Sequence, residues 1–200
     1  MKKVLVIVIL SLMSLLLLAQ AQSPLSRSYT YESKYQYTAA IEAMQSLYTN
    51  SQDDVFVNLR LGWLYYLNAD YDNAVKHYET AYDQEKCLEA IEGLVSVAYM
   101  QGEWEKVIAS SDEILKKYPH NTSVRFKKAY SFFALKDWNK AAKSFNEVLK
   151  VYPYDLDSRC YLLACQLYSG DMMNAKKTYS FVIQYSPACP YIAEYEATRK

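Results

Sequence analysis

Hydrophobic and polar positions along this chain follow the period of a helix, in pairs of blocks. In VFVNLRLGWLYYLNADYDNAVKHYETAYDQ (residues 55–84), Val55, Leu59, Gly62, Trp63, Tyr66 and Leu67 fall at steps of three and four. Ala74, Tyr78, Ala81 and Tyr82 do the same. That spacing lines one face of a helix. Between the blocks stands the polar stretch NADYD, with QGEW, LKDW and SGDM in the equivalent places further on. Two helices of about 14 residues joined by a tight turn make a helical hairpin.

The hairpin recurs. Tyr37, Tyr71, Trp104, Trp138 and Met172 are spaced 34, 33, 34 and 34 apart, each followed three residues later by Ala40, Ala74, Val107, Ala141 or Ala175. Met44, Tyr78, Ser111, Phe145 and Tyr179 come four residues after those. Pro119, Pro153 and Pro187 close the later units at the same interval. Proline cannot continue a helix and restricts the residue before it, so each proline ends one unit. No single hairpin can hide its apolar face, so neighbours must stack. The pattern predicts a helix over 32–49, hairpins over 54–85, 87–118, 121–152 and 155–186, and a last helix over 189–198. Residues 22–31 read as a flexible leader.

The N-terminus is a separate object. MKK precedes the 15-residue apolar run Val4–Leu18, and Ala19–Ala21 offers small residues before a cut. This is the pattern of a secretory signal peptide over residues 1–21, so the chain is expected to be exported, periplasmic or secreted, after cleavage near Ala21. The rival is a retained anchor, for which the run is shorter than the roughly 20 residues a spanning helix wants.

Composition narrows the function classes. The 22 basic residues balance 22 acidic ones, leaving no electrostatic footprint for nucleic acid. Glycine is scarce at 4 and tyrosine abundant at 21, which argues against a glycine-rich phosphate loop. The cysteines are Cys87, Cys160, Cys165 and Cys189. Cys160 and Cys165 on one helix would be separated by about 7.5 Å of rise and roughly 140° of rotation, so they cannot pair with each other. The four read either as small buried hydrophobes or as including one bridge through Cys189. His77 and His120 have no cysteine or second histidine beside them and read as solvated surface groups. No metal, nucleophile or phosphate-loop motif occurs. The expectation is no enzyme, no catalytic residue, no metal and no cofactor. Asp53 or Asp54 can cap the first full hairpin, and Asn121-Thr122-Ser123 reads as a helix start or a glycosylation acceptor.

The 34-residue helix–turn–helix with Leu61-Gly62, Tyr65, Ala74 and Tyr78, then Ala129, Ala141, Phe145 and Pro153, then Ala175, Tyr179 and Pro187, resembles the tetratricopeptide repeat family. The unit over 87–118 departs most: Val107 and Ser111 replace the small and aromatic residues, and it is one residue short. The resemblance implies an all-α, right-handed α-solenoid of antiparallel hairpins. It implies a concave groove lined by the first helix of each unit, binding a peptide or helix of a partner protein. Carried over by position, the groove would show Trp63, Tyr66, Tyr99, Met100, Phe126, Tyr130, Phe133 and Tyr168, with Leu59, Leu67, Glu92, Ser96, Cys160, Ala164 and Leu167 beside them. Arg125 and Arg159 would stand at its edge. The chaperone-tail clamp of some family members is not supported, because Leu59 and Trp63 occupy the clamp positions. The partner expected is a protein, with no nucleic acid and no membrane once the signal is cut. The second reading is a self-associating structural or assembly subunit, hence a homo-oligomer.

Overall fold

A computed structural model describes residues 23–199. Residues 1–21, expected from the sequence to be a signal peptide, lie outside the described residues. Among the described residues the chain is all-α, with eleven helices and no strand. They are α1 (Pro24–Glu32), α2 (Tyr37–Asn50), α3 (Val55–Leu67), α4 (Tyr71–Gln84), α5 (Leu88–Gln101), α6 (Trp104–Lys117), α7 (Thr122–Ala134), α8 (Trp138–Val151), α9 (Leu156–Tyr168), α10 (Met172–Tyr185) and α11 (Tyr191–Ala197). The chain divides into two compact units, one ending at Ala90 and one beginning at Ile91.

Local chemistry places the helix ends at the repeat interval. Asp54, Asp70, Asn121, Asp137, Asp155 and Asp171 each accept a hydrogen bond from a backbone N–H three residues on, capping α3, α4, α7, α8, α9 and α10. Glu103, before α6, makes no such bond. The hairpin turns share a second device. Tyr35, Ala69, Gly102, Lys136 and Gly170 all have positive φ, between 57° and 78°. A left-handed residue at this point turns the chain sharply out of one helix toward the next. Tyr118 and Tyr152, just before Pro119 and Pro153, are extended at φ −124° and −122°, as a following proline demands.

In the first unit, α1 pairs with α2, α2 packs on α3, and α3 pairs with α4. Ala40, Ile41, Met44, Val57, Leu61 and Leu64 form its core. Tyr78 of α4 lies over Gly62 of α3, where an added Cβ would stand 2.9 Å from the ring.

Residues 23–31, expected as part of a flexible leader, are helical from Pro24 on. Pro24–Glu32 is a helix capped by Ser23. Arg60, 7% exposed, anchors it: Nη1 meets Glu32 Oε2 at 2.6 Å, and Nε and Nη2 donate to Ser28 Oγ. The guanidinium also lies 3.9 Å from the centroid of the Tyr29 ring. The helix expected over 32–49 therefore begins at Tyr37 and is the second arm of an additional hairpin. A polar stretch that looks unstructured is held by a cation 28 residues beyond it.

In the second unit, α6 packs on α7, α7 pairs with α8, α8 packs on α9, and α9 pairs with α10. The first helices of successive hairpins, α7 and α9, also touch, and α11 rests on α9 and α10. Phe145, fully buried, centres a core with Ala129, Ala141, Leu149, Leu162 and Cys165. A second core gathers Leu163, Ala175, Val182 and Tyr195 around a Cys160–Cys189 disulfide. Of the two cysteine readings, the bridge through Cys189 is the one that forms, while Cys165 stays a buried thiol and Cys87 a free one.

Candidate functional site

The second unit gathers its aromatic residues into one connected field. Tyr99 lies 5.4 Å from Tyr130 and 5.7 Å from Trp104, ring centre to ring centre. Tyr130 meets Tyr161 at 5.3 Å, and Tyr161 meets Phe133 at 5.1 Å. Phe133 meets Trp138 at 5.3 Å, and Trp138 meets Tyr168 at 4.9 Å. Tyr191 of α11 closes the field against Phe133, Tyr161 and Tyr168 at 6.1–6.2 Å. Most contacts are edge-to-face or tilted, the arrangement the ring quadrupole favours. The rings come from α5, α7 and α9, with Trp104 and Trp138 each opening the second helix of a hairpin. Tyr99, Tyr130, Phe133 and Tyr161 are half-buried, and Tyr168 is 40% exposed.

Three of its phenols, Tyr161, Tyr168 and Tyr191, are held in the neutral form. Burial, then the neighbouring Tyr161, pushes Tyr191 up to about 12. Burial, then the hydrogen bond its hydroxyl donates to Glu194 Oε2 at 2.6 Å, pushes Tyr168 up to about 12. Tyr161 is also raised, first by burial. The surface is thus apolar rings edged with hydroxyl donors.

The residues picked out in the sequence do not all share one surface. Tyr99, Tyr130, Phe133 and Tyr168 come together in this field. Phe126 sits at its base, between buried Phe145 and Tyr161. Met100 is exposed at the end of α5. Trp63 and Tyr66 form a separate stack in the first unit, 5.6 Å apart, where Trp63 Nε1 donates to Glu32 Oε1 at 2.7 Å. Arg125 and Arg159 are engaged internally. Arg125 pairs with Glu147 at 2.6 Å and donates to the Pro119 carbonyl. Arg159 donates to the Pro153 carbonyl at 2.6 Å and lies over the Phe181 ring. Thirty-four residues apart, both arginines tie a helix start to the proline turn before it. Cys160 and Ala164 are buried, so they do not line a groove. Glu92 accepts from Asn121 Nδ2.

Tyr161 and Tyr191 are central to the field and were not picked out. In register, Tyr161 falls with Arg60, Gly93 and Lys127, so carry-over by position sees no aromatic column there. Tyr191 belongs to the last short helix, outside the repeat.

His77 corrects an expectation. It is 5% exposed, not solvated. Its ring stacks on Tyr65 and meets Tyr48 edge-on, and Nδ1 is 2.8 Å from Asn58 Oδ1. Burial, reinforced by Lys76, lowers its pKa to about 4. His120 is exposed, as expected.

Comparison with known proteins supports the same architecture. A family model described as tetratricopeptide repeat matches residues 57–84 and 123–153. Over these two segments the chain is similar to tetratricopeptide repeats. The matched segments fall in α3–α4 and α7–α8, and the divergent unit over 87–118 is not matched. Among solved structures, the crystal structure of MamA protein superposes with a TM-score of 0.72 at 16% identity, over 86% of this chain and 93% of that one. MamA residues 41 to the end from Desulfovibrio magneticus RS-1 give 0.73 at 10% identity, over 82% and 93%. A tetratricopeptide repeat protein from Parabacteroides merdae gives 0.73 at 16% identity, over 88% and 70%. At such identities the likeness is one of fold. No curated protein matches the chain. Among the described residues no helix is long and apolar enough to cross a membrane, and no cluster of acidic, cysteine and histidine side chains could hold a metal ion.

Proposed function

We propose that this chain is an exported protein-interaction module that holds an apolar segment of a partner protein against the aromatic face of its second unit. Tetratricopeptide repeats serve as protein-binding scaffolds, and the finer reading rests on one observation. Tyr99, Tyr130, Phe133, Tyr161, Tyr168 and Tyr191 form a continuous field of partly exposed rings on helices that a packed core holds in place. Aromatic rings offer large contact area at low entropic cost and dominate binding hot spots. Export is supported by the apolar run and small-residue site of residues 1–21 and by the Cys160–Cys189 bridge, since disulfides persist in oxidising compartments.

The test is photo-crosslinking in the native cell, with a photoreactive residue replacing Tyr130 and a control at exposed Lys143 of α8. A partner captured from position 130 and not from 143 supports the reading. Equal capture from both positions would sink it, and capture of the chain itself would transfer the role to self-assembly.

A further inference from the structure

We propose that Cys160 and Cys189 form a redox latch, which when oxidised clasps α11 onto α9 so that Tyr191 completes the aromatic face, and when reduced lets α11 go. The functional half of this proposal rests on the reading of that face as the binding surface; the structural half does not.

The argument begins with how little else holds α11. It has seven residues and no side-chain N-cap, and a helix that short does not persist by itself in water. Tyr195 is buried and Tyr191 and Ile192 are half-buried, while Ala193, Glu194, Glu196 and Ala197 are exposed. Beyond the packing of Tyr191, Ile192 and Tyr195, its ties are two phenol–carboxylate hydrogen bonds, Tyr168 to Glu194 and Tyr179 to Glu196, each 2.6 Å, and the Tyr179–Tyr195 stack at 4.5 Å. The bridge joins Cys189, just ahead of α11, to Cys160 in the first half of α9, across 29 residues of sequence. Beneath the clasped segment lie Leu163, Ala175 and Val182, all fully buried. Release of α11 therefore does two things. It removes Tyr191 from Phe133, Tyr161 and Tyr168, and it uncovers the apolar end of the last hairpin.

The third thiol of this region does not interfere. Cys165 is buried and its pKa is pushed up to about 12, chiefly by burial, so it stays protonated and does not attack the bridge.

The chemistry is thiol–disulfide exchange. To close the latch, the Cys189 thiolate attacks a donor disulfide and displaces one of its sulfurs as a thiolate. The Cys160 thiolate then displaces the other from the mixed disulfide. Two electrons pass to the donor, which becomes a dithiol, and two protons leave the cysteines. A dithiol reductant runs the same steps in reverse. Cys160 and Cys189 are 8% and 6% exposed, so opening needs transient fraying of the segment around Pro187 and Pro190.

The deciding experiment is amide hydrogen exchange on the whole chain, oxidised and in dithiothreitol, beside a Cys160→Ser/Cys189→Ser double variant. Anilinonaphthalene sulfonate reports uncovered apolar surface. The expected result is exchange over residues 191–197 faster by about tenfold or more on reduction, with α10 changing less than about twofold, and increased dye binding. The double variant should match the reduced protein without reductant. Unchanged protection of 191–197 in the reduced protein would overturn the latch. So would loss of protection throughout the second unit, because the bridge would then be a general staple. Crosslinking from position 130 is run in both states. Capture that is equal in both overturns the gating of the face. Capture absent in both overturns the binding reading, and the exchange data still decide the latch.

Discussion

His77 donates from Nδ1–H to Asn58 Oδ1 across 2.8 Å, joining α4 to α3 inside the first unit. Asn58 Nδ2 is committed as a donor to the carbonyls of Gln52 and Asp54, at 2.6 and 2.9 Å. That leaves Oδ1 to accept, so His77 is neutral with its proton on Nδ1. The pair stitches the turn before α3 to the body of the unit.

A pH dependence follows. His77 titrates near 4 when folded against 6.5 ordinarily. The unfolded chain therefore binds the proton first as pH falls. The contribution is complete above pH 6.5 and is lost as pH drops to about 4, by roughly 3 kcal/mol at most. Urea midpoints at pH 7.5 and 4.5 should show this loss, and His77→Phe should flatten it from a lower starting stability.

Gly62 and Tyr78 are the second point of test. Gly62→Ala drives a methyl to 2.9 Å from a ring 5% exposed. Displacing so enclosed a ring should cost about 1–3 kcal/mol. Thermal unfolding reads it directly, and no measurable change would mean that the two helices are looser than their packing implies.

The turn residues give a pair of opposite signs. Gly102 has φ +75°, and Gly102→Ala should destabilise by about 1 kcal/mol. Lys136 holds the equivalent conformation at φ +61°. Lys136→Gly should relieve strain of about 1 kcal/mol, partly offset by the wider freedom of glycine in the unfolded chain. A small rise in unfolding temperature is expected, and a fall would refute the strain argument.

Arg60 should be costly to remove. Arg60→Leu removes the cation from Glu32, which keeps only the Trp63 indole, and the donors from Ser28, at about 3 kcal/mol if α1 stays docked. Undocking is the cheaper response, so the expected outcome is proteolytic cleavage within residues 23–36 while α3 and α4 stay intact.

The sequence by itself determined the class of fold, because helix periodicity, Asp and Asn caps and proline stops are local signals repeated at 34 residues. It also carried Tyr99, Tyr130, Phe133 and Tyr168 to a shared surface, since register alone puts them on one face of successive hairpins. What it could not carry were relations between residues far apart in the chain or outside the register. Ser28 looks like a leader residue, and Glu32 like a helix start, until Arg60 reaches them. His77 looks solvated until Tyr48, Tyr65 and Asn58 close around it. Arg125 and Arg159 look free until the proline carbonyls and Glu147 take them. Tyr161, Tyr191 and the choice of Cys160 as the partner of Cys189 were likewise decided by tertiary structure. The physical reason is common to all of them: periodicity reports which side of a helix is apolar, and only packing decides what that side meets.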